Sequence, residues 1–151
     1  TFLGREENAK LTAGPFMKNR SIEADSRVII ERFGVLTPSE QVPAFAPSGG
    51  NQQKLVVGRE MASDPKILLA AHPTRGVDVG AQSAIWDELR SARDRGLAVL
   101  LISADLEELI GLSDRILVMF DGQITADLDP NTATPEMLGT YMTGGEIVSP
   151  L

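Results

Sequence analysis

The sequence predicts an α/β fold in which helices cover a mostly parallel sheet and a β-hairpin follows. The first observation is that short apolar runs alternate with segments of helical periodicity in the second half of the chain. The second is the run 97–102, which is apolar throughout and is typical of a strand buried in a parallel sheet. The third is Asp121-Gly122 between two strand-like runs, which favours a tight hairpin turn.

The first half of the chain is irregular at its start. Residues 1–20 have no clear periodicity, and Gly14-Pro15 marks a break. A helix is predicted over 21–33, where Ser21 can cap its start and Gly34 ends it. Three prolines make 35–47 a loop. The next helix begins near Gly50, has Val57 and Met61 one turn apart, and stops at Asp64-Pro65.

The second half predicts a regular succession of elements. It comprises a buried strand at 67–71, a loop at 72–80, a helix over 81–95 with Gly96 as its C-cap, a strand at 97–103, a helix at 105–112, strands at 115–120 and 123–128, a helix at 135–142 and a loose tail after Gly144. The helix over 81–95 carries one apolar stripe, formed by Ala81, Ile85, Leu89 and Ala92.

Composition limits the classes of function. The chain has 151 residues, 42% of them apolar, which suffices for one domain with a hydrophobic core. Its net charge of −7 argues against binding of a nucleic-acid backbone. It has no cysteine, which excludes disulfides and thiolate metal sites. No apolar run can span a bilayer and no signal peptide is recognisable. Because the chain lacks an initial Met, we interpret it as a piece of a longer protein.

The segment Ser48-Gly49-Gly50 precedes a predicted helix, and this arrangement suits a phosphate. Glycines let the backbone approach a ligand closely, and a helix start offers unbonded N–H groups at the positive end of its dipole. The alternative is an ordinary helix N-cap with glycines in a turn.

A wider set of motifs resembles one family in order and spacing. The motifs are "PSGGNQQK", "DP", "PTRGVDVGA", "LLIS" and "SDRILVMFDGQI". Together they resemble the ATP-binding subunit of ABC transporters, most of all the second nucleotide-binding half of the fused subunits that serve sugar and nucleoside importers. The resemblance covers nearly the whole chain. It implies that residues 1–47 are part of the helical subdomain with a Pro-rich linker. Residues 48–144 are the signature helix with the C-terminal part of a P-loop ATPase core, and 145–151 are a tail.

The resemblance also implies roles for particular residues. Residues 48–52 are the signature loop, 67–72 include the Walker B strand, 75–78 form the D-loop and 103–105 lie at the switch-histidine loop. In such dimers each ATP lies between the phosphate loop of one half and the signature loop of the other. The residues implied to face that ATP, or to organise the shared interface, are Ser48, Gly49, Gly50, Asn51, Gln52 and Asp78.

The sequence departs from the family pattern at the catalytic positions. The Asp and Glu that end the Walker B strand are replaced by Ala71 and His72, and the switch position is Ala104. The phosphate loop G-x-x-x-x-G-K-[ST] does not occur in these 151 residues. Pro47 also stands where the signature usually begins with Leu. We therefore expect no intact catalytic residue and no metal site, and a nucleotide site on this half that does not turn ATP over.

The resemblance implies that the intact protein uses ATP and Mg²⁺, whereas we expect the chain alone to bind neither. Its implied partners are the other nucleotide-binding half and transmembrane permease subunits at the cytoplasmic face of the cell membrane, with no nucleic acid. The isolated chain is expected to be soluble and to dimerise through exposed sheet edges. Two alternatives stay open: a dimerisation scaffold without nucleotide chemistry, and an ABC protein of translation or repair.

Overall fold

A computed structural model describes residue 5, residues 7–13 and residues 16–145. The elements in chain order are β1 (Thr12–Ala13), β2 (Phe16–Met17), α1 (Asn19–Arg32), α2 (Gly49–Met61), β3 (Ile67–Ala71), α3 (Val79–Asp94), β4 (Ala98–Ile102), α4 (Leu106–Leu112), β5 (Ile116–Phe120), β6 (Gln123–Leu128) and α5 (Pro135–Met142). The predicted α/β class is confirmed. The chain divides into two compact units, Thr1–Leu100 and Leu101–Leu151, which are described separately.

The core of the first unit lies among three helices, because α2 packs on both α1 and α3. Ile29 and Phe33 are buried from the side of α1, and Val57 and Met61 from α2. The apolar stripe predicted on α3 is confirmed, since all four of its residues are buried: Ala81, Ile85, Leu89 and Ala92. Helical periodicity in the sequence therefore identified the face of α3 that supports the site described below.

The predicted C-terminal end of α1 is confirmed, whereas its predicted N-terminal cap is wrong. Gly34 has φ 57°, and Val35 N–H donates to Ile30 O at 2.9 Å, which closes the helix as expected of a C-terminal glycine. The predicted cap Ser21 is wrong, because α1 already begins at Asn19 after Lys18, and Ser21 lies inside the helix. Backbone N–H groups of Ser21 and Ile22 donate to Lys18 O, so the helix starts without a side-chain cap.

Helices α1 and α2 approach closely at Gly58. A Cβ atom at this position would lie 2.7 Å from Phe33 Cδ2 and 2.8 Å from Ile29 Cγ2. Real Cβ contacts are longer than this. The two helices can therefore pack this closely only because residue 58 has no side chain. No role for Gly58 is predicted from the sequence.

The strands form three two-stranded sheets, β1–β2, β3–β4 and β5–β6, within the residues that the structure describes. The expected burial of β3 and β4 is wrong, because Ile67, Leu69 and Leu100 are 72%, 62% and 57% exposed. Alternate residues of a strand face opposite sides of the sheet. Here one side is packed, as at Ala70, whereas the other is open. The antiparallel hairpin β1–β2 was not predicted, and the break at Gly14-Pro15 lies outside the described residues.

The second unit is an antiparallel hairpin packed against helices. Strands β5 and β6 pair from Ile116–Leu128 to Phe120–Gln123, with an irregularity between Val118 and Met119. The predicted turn is confirmed, since Asp121 and Gly122 have φ of 46° and 74°. The core consists of Ile116, Val118 and Leu138, and partly buried residues of α4 pack against it: Leu106, Leu109 and Ile110. The predicted loose tail falls mainly on residues 146–151, which lie outside the described residues.

None of the helices in the described part of the chain combines the length and apolarity that a bilayer crossing requires.

Candidate functional site

The start of α2 carries the segment that the sequence singled out. Ser48 is the residue before the helix, with φ −58° and ψ 159°, and both Ser48 and Gly49 are exposed. Gln52 N–H donates to Ser48 O at 2.9 Å and closes the first turn. The N–H groups ahead of Gln52 come too early to find acceptors within the helix. They therefore lie at the positive end of the helix dipole, next to an exposed hydroxyl.

Ser48 does not cap α2, because its side chain accepts no backbone N–H of the helix. Its Oγ instead accepts from Asn51 Nδ2 at 2.9 Å. Asn51 Oδ1 in turn accepts from Leu36 N–H at 2.7 Å, which ties the signature loop to the segment that follows α1. The alternative interpretation of this segment, an ordinary helix N-cap, is therefore not realised by the Ser48 side chain. The bond from Asn51 leaves the Ser48 hydroxyl proton available to a ligand.

Gln52 and Pro47 brace the entry to the helix. Gln52 Nε2 donates to Pro47 O at 2.8 Å, so the side-chain amide folds back on the loop. Proline at this position fixes φ and thereby narrows the conformations of the entry. The amide groups of Asn51 and Gln52 thus hold the backbone of the signature loop in place, rather than projecting from it.

The loop at 72–80 supports the two glycines of the signature loop. A Cβ atom at Gly49 would lie 3.7 Å from Gly76 O, an ordinary contact. Gly50 is buried, and a Cβ atom there would lie 2.9 Å from Ala81 Cβ and 3.2 Å from Asp78 Oδ2. The motif residues Gly50 and Asp78, far apart in sequence, are therefore in contact.

The 72–80 loop turns sharply after β3. His72 has φ 48°, Gly76 has φ 74°, and Arg75 N–H donates to His72 O at 3.2 Å. Asp78 ends the loop as the N-cap of α3, where its Oδ1 accepts from Ala81 N–H at 2.9 Å. Capping a helix start is a structural use of the residue that the family resemblance assigns to the shared interface.

The end of β3 lacks ligands for a hard cation. Ala71 is exposed and His72 is half-buried, and neither offers a carboxylate oxygen. Mg²⁺ in proteins takes oxygen ligands in octahedral geometry, so these two residues do not fit it. Among the described residues there is also no group of three or more His, Asp or Glu side chains placed to hold a metal ion.

The switch position lies in the second unit, at the start of α4. Ala104 is exposed and its methyl group can neither donate nor accept a hydrogen bond. Asp105 caps α4, its Oδ1 accepting from the N–H groups of Glu107 and Glu108 at 3.0 and 3.1 Å. Asp105, Glu107 and Glu108 therefore form the cap and the first turn of a helix, where the helix dipole favours acidic side chains.

Two supporting contacts have no signal in the sequence. The bond between Asn51 and Leu36 and the contact between Gly50 and Ala81 both join segments that are well separated along the chain. The glycine pair was a hint of close backbone approach, but it did not show which residue would be approached.

Comparison with characterised proteins links these features to one family. The chain is 49% identical over 119 residues to the guanosine import ATP-binding protein NupO of Bacillus subtilis (strain 168), a match over 79% of this chain and 23% of that protein. It is 45% identical over 132 residues to the nucleoside import ATP-binding protein NupA of Lactococcus lactis subsp. cremoris (strain MG1363), over 87% and 26%. The chain thus spans about a quarter of these relatives. No protein-family model matches it.

Solved structures agree at the level of the fold. A nucleotide-free ATP-binding cassette from an ABC transporter superposes with a TM-score of 0.67 at 23% identity, over 84% of this chain and 51% of that one. A dimeric bacterial ABC transporter cassette, MJ0796, gives 0.65 at 19% identity, over 79% and 51%. On its sequence identity to these import proteins and its cassette fold, the chain belongs to the family of ABC importer ATP-binding proteins.

Proposed function

We propose that the chain supplies its signature loop and D-loop, in trans, to an ATP held by a second nucleotide-binding half, while its own nucleotide site does not hydrolyse. One contrast carries this proposal. The start of α2 is exposed and rich in unbonded N–H groups, whereas the end of β3 carries Ala71 and His72 without a carboxylate. A half of this kind can serve its partner's site without performing the reaction itself.

The start of α2 suits the γ-phosphate of a trans-bound ATP. Backbone N–H groups at a helix N-terminus form an anion site, and Gly49 leaves room for an oxygen atom to approach them. The Ser48 hydroxyl can donate to a phosphate oxygen, because the hydrogen bond from Asn51 Nδ2 uses a lone pair of Oγ and leaves its proton. Gln52 and Asn51 keep this surface rigid, so the phosphate meets groups that are already oriented.

The site that belongs to this half lacks the groups that hydrolysis needs. Phosphoryl transfer to water requires a held metal ion and a positioned water molecule. Ala71 can bind neither, and the His72 imidazole offers nitrogen where Mg²⁺ prefers oxygen. Ala104 leaves the switch position without a hydrogen-bonding group. We propose that nucleotide bound at this half stays intact through the cycle.

The remaining properties of the whole protein follow from its relatives' names. NupO and NupA are import ATP-binding proteins for guanosine and for nucleosides, and further relatives at 36–45% identity are ribose and xylose import ATP-binding proteins. We propose that the protein containing this chain couples ATP and Mg²⁺ to import of a nucleoside or simple sugar. It would act at the cytoplasmic face of the membrane with permease subunits, the helical part of residues 1–47 providing the contact.

The test is Ser48→Arg in the full-length polypeptide that contains this chain. A long cation fills the phosphate position at the start of α2, so ATP turnover should fall about a hundredfold, as misplacement at a reacting centre commonly does. The matched control is Ser83→Arg, at an exposed serine on α3, which should leave turnover unchanged. Unchanged turnover in Ser48→Arg would favour the scaffold alternative and refute the proposal.

A further inference from the structure

We infer that Asp78 and Ala81 are positioning residues that fix where the signature helix α2 packs on the start of α3. The start of α2 and the 72–80 loop then act as one rigid body. The inference rests on the proposed function, because it concerns how the signature loop is presented to a trans-bound ATP. It assigns a task to Ala81, the last residue of the "PTRGVDVGA" motif, to which the family resemblance gives no role, and a second task to Asp78 and Gly50.

The first step is the contact between the two helix starts. Gly50 is buried, and a Cβ atom there would lie 2.9 Å from Ala81 Cβ, closer than real Cβ atoms approach. Ala81 is itself 4% exposed and belongs to the buried stripe of α3. The methyl group of Ala81 therefore fills the space that a side chain at Gly50 would need. The separation of the two helix starts is set by this pair of small residues.

The second step is the carboxylate between them. Asp78 Oδ1 accepts from Ala81 N–H at 2.9 Å and so fixes the start of α3. Asp78 Oδ2 lies 3.2 Å from where a Gly50 Cβ would stand. A Cβ atom at Gly80 would lie 3.3 Å from Oδ1, so the carboxylate also lies close to the backbone of Gly80. A Cβ atom added at Gly50 must therefore displace Ala81 or this carboxylate, and either displacement disturbs the start of α3.

The functional consequence is a fixed relation between two loops that face the partner half. The signature loop presents N–H groups to the phosphate, and residues 75–78 are the D-loop. Gly50 allows the signature loop and the D-loop to keep a fixed relative position. A side chain added at Gly50 therefore misplaces the signature loop, while ATP stays bound to the partner half. Turnover should therefore fall through kcat, with the KM for ATP nearly unchanged, because the phosphate loop and Mg²⁺ ligands lie elsewhere.

The test compares Gly50→Ala with a compensated variant in the full-length polypeptide. Gly50→Ala should lower kcat about tenfold or more, since an ångström of misplacement is costly. The double variant Gly50→Ala/Ala81→Gly removes the 2.9 Å contact and should restore most of the lost kcat. The matched control is Gly139→Ala on α5, where a Cβ atom meets nothing within 4 Å and turnover should not change.

A second readout needs no turnover and keeps the inference testable if Gly50→Ala folds poorly. In hydrogen exchange, Asp78→Ala should accelerate exchange of the Ala81 N–H and also of the amides at 52–54 in α2. In Asp78→Asn, the Ala81 N–H and the amides at 52–54 should exchange as slowly as in the native protein, because an Asn side chain can cap α3 in the same way. If Asp78→Ala affects α3 alone, the two helix starts are independent and the inference is overturned.

The outcomes also separate this inference from the proposed function. If Gly50→Ala lowers kcat and the double variant does not recover, Gly50 acts through direct contact with nucleotide and the positioning role is refuted. If Gly50→Ala retains full turnover while Ser48→Arg loses it, the inference fails and the proposed function stands. If Ser48→Arg retains turnover as well, the proposed function itself fails.

Discussion

Arg115 and Asp127 illustrate what a single side-chain contact does in this chain. Arg115 directly precedes β5 and reaches diagonally to Asp127 of β6, which pairs with Leu117; Arg115 Nε donates to Asp127 Oδ1 at 2.8 Å, and Nη2 donates to the second carboxylate oxygen. The hydrogen bonds to Arg115 hold the pKa of Asp127 below its ordinary value of 3.8. Both side chains are well exposed, so solvent screens the pair and its effect on stability is small.

This pair predicts a specific pH dependence. Because the pKa of Asp127 is lowered in the folded state, the stabilisation is fully present above the ordinary value and is lost as pH falls through the folded-state pKa. In an NMR titration, Asp127 should protonate at lower pH in the native chain than in Arg115→Gln. Glu136, whose pKa is lowered by a hydrogen bond from its own backbone and by Thr134 and not by Arg115, serves as the reference carboxyl and should titrate identically in both proteins. An Asp127 that titrates unchanged in Arg115→Gln would refute the assignment.

Helix packing is the feature that matters at the scale of elements. The close approach of α1 and α2 at Gly58 leaves no room for even one methyl group beside Ile29 and Phe33. Both of these neighbours are buried, at 2% and 6% exposure, so they have little freedom to move away. Added volume at this crossing must therefore be absorbed by strained rotamers or by separation of the helices.

Overpacking in Gly58→Ala should cost about 1–3 kcal/mol of the free energy of unfolding. Replacing a mid-helix glycine also gains about 1 kcal/mol in helix propensity, so the full cost is expected relative to a helical Gly→Ala control that has the gain without the overpacking. Chemical denaturation with Gly139→Ala as the matched helical control measures the difference. The control should be neutral or stabilising, because space at Gly139 is open. Stability of Gly58→Ala equal to or greater than that of Gly139→Ala would contradict the packing.

Element positions were largely predictable, whereas their environments were not. Strands β3 and β6 and helix α5 have the predicted bounds, because apolar periodicity and turn residues such as Asp121-Gly122 act locally. The burial of Leu69 and Leu100 was predicted wrongly, because an apolar strand does not specify whether another segment covers it. At the site, residues 48–52 were located by motif. The contact of Gly50 with Ala81 depends on tertiary packing and left no local pattern.

At the scale of the whole molecule, the open face of β3 and β4 is the main feature of the first unit. It includes the exposed side chains of Ile67, Leu69 and Leu100. The two strands pair only with each other in the described part of the chain, so unpaired strand edges accompany the apolar face. Exposed apolar patches beside open strand edges promote association. A second copy of the chain presents the same apolar face and the same unpaired strand edges, so two copies can associate through them.

We therefore expect the isolated 151-residue chain to self-associate, with a sedimentation coefficient that rises with concentration. Leu69→Lys places a charge on the open face and should shift the chain to monomer. Val28→Lys, at a 62% exposed position on α1, changes the net charge equally and should leave association unchanged. A native chain that sediments as a monomer at all concentrations would contradict the expectation.

The chain contains one histidine and one tryptophan, which lie on either side of the start of α3 in the sequence. His72 directly follows β3, and Trp86 lies about two turns into α3, with the Arg90 guanidinium carbon 5.6 Å from its ring centroid. A proton NMR spectrum therefore holds a single imidazole signal set, and ultraviolet-excited emission comes from a single indole. Each signal is therefore assigned to one residue without isotope labelling or mutation. Binding of a partner near His72 or near Trp86 can be followed in the native chain, in real time, through two independent signals.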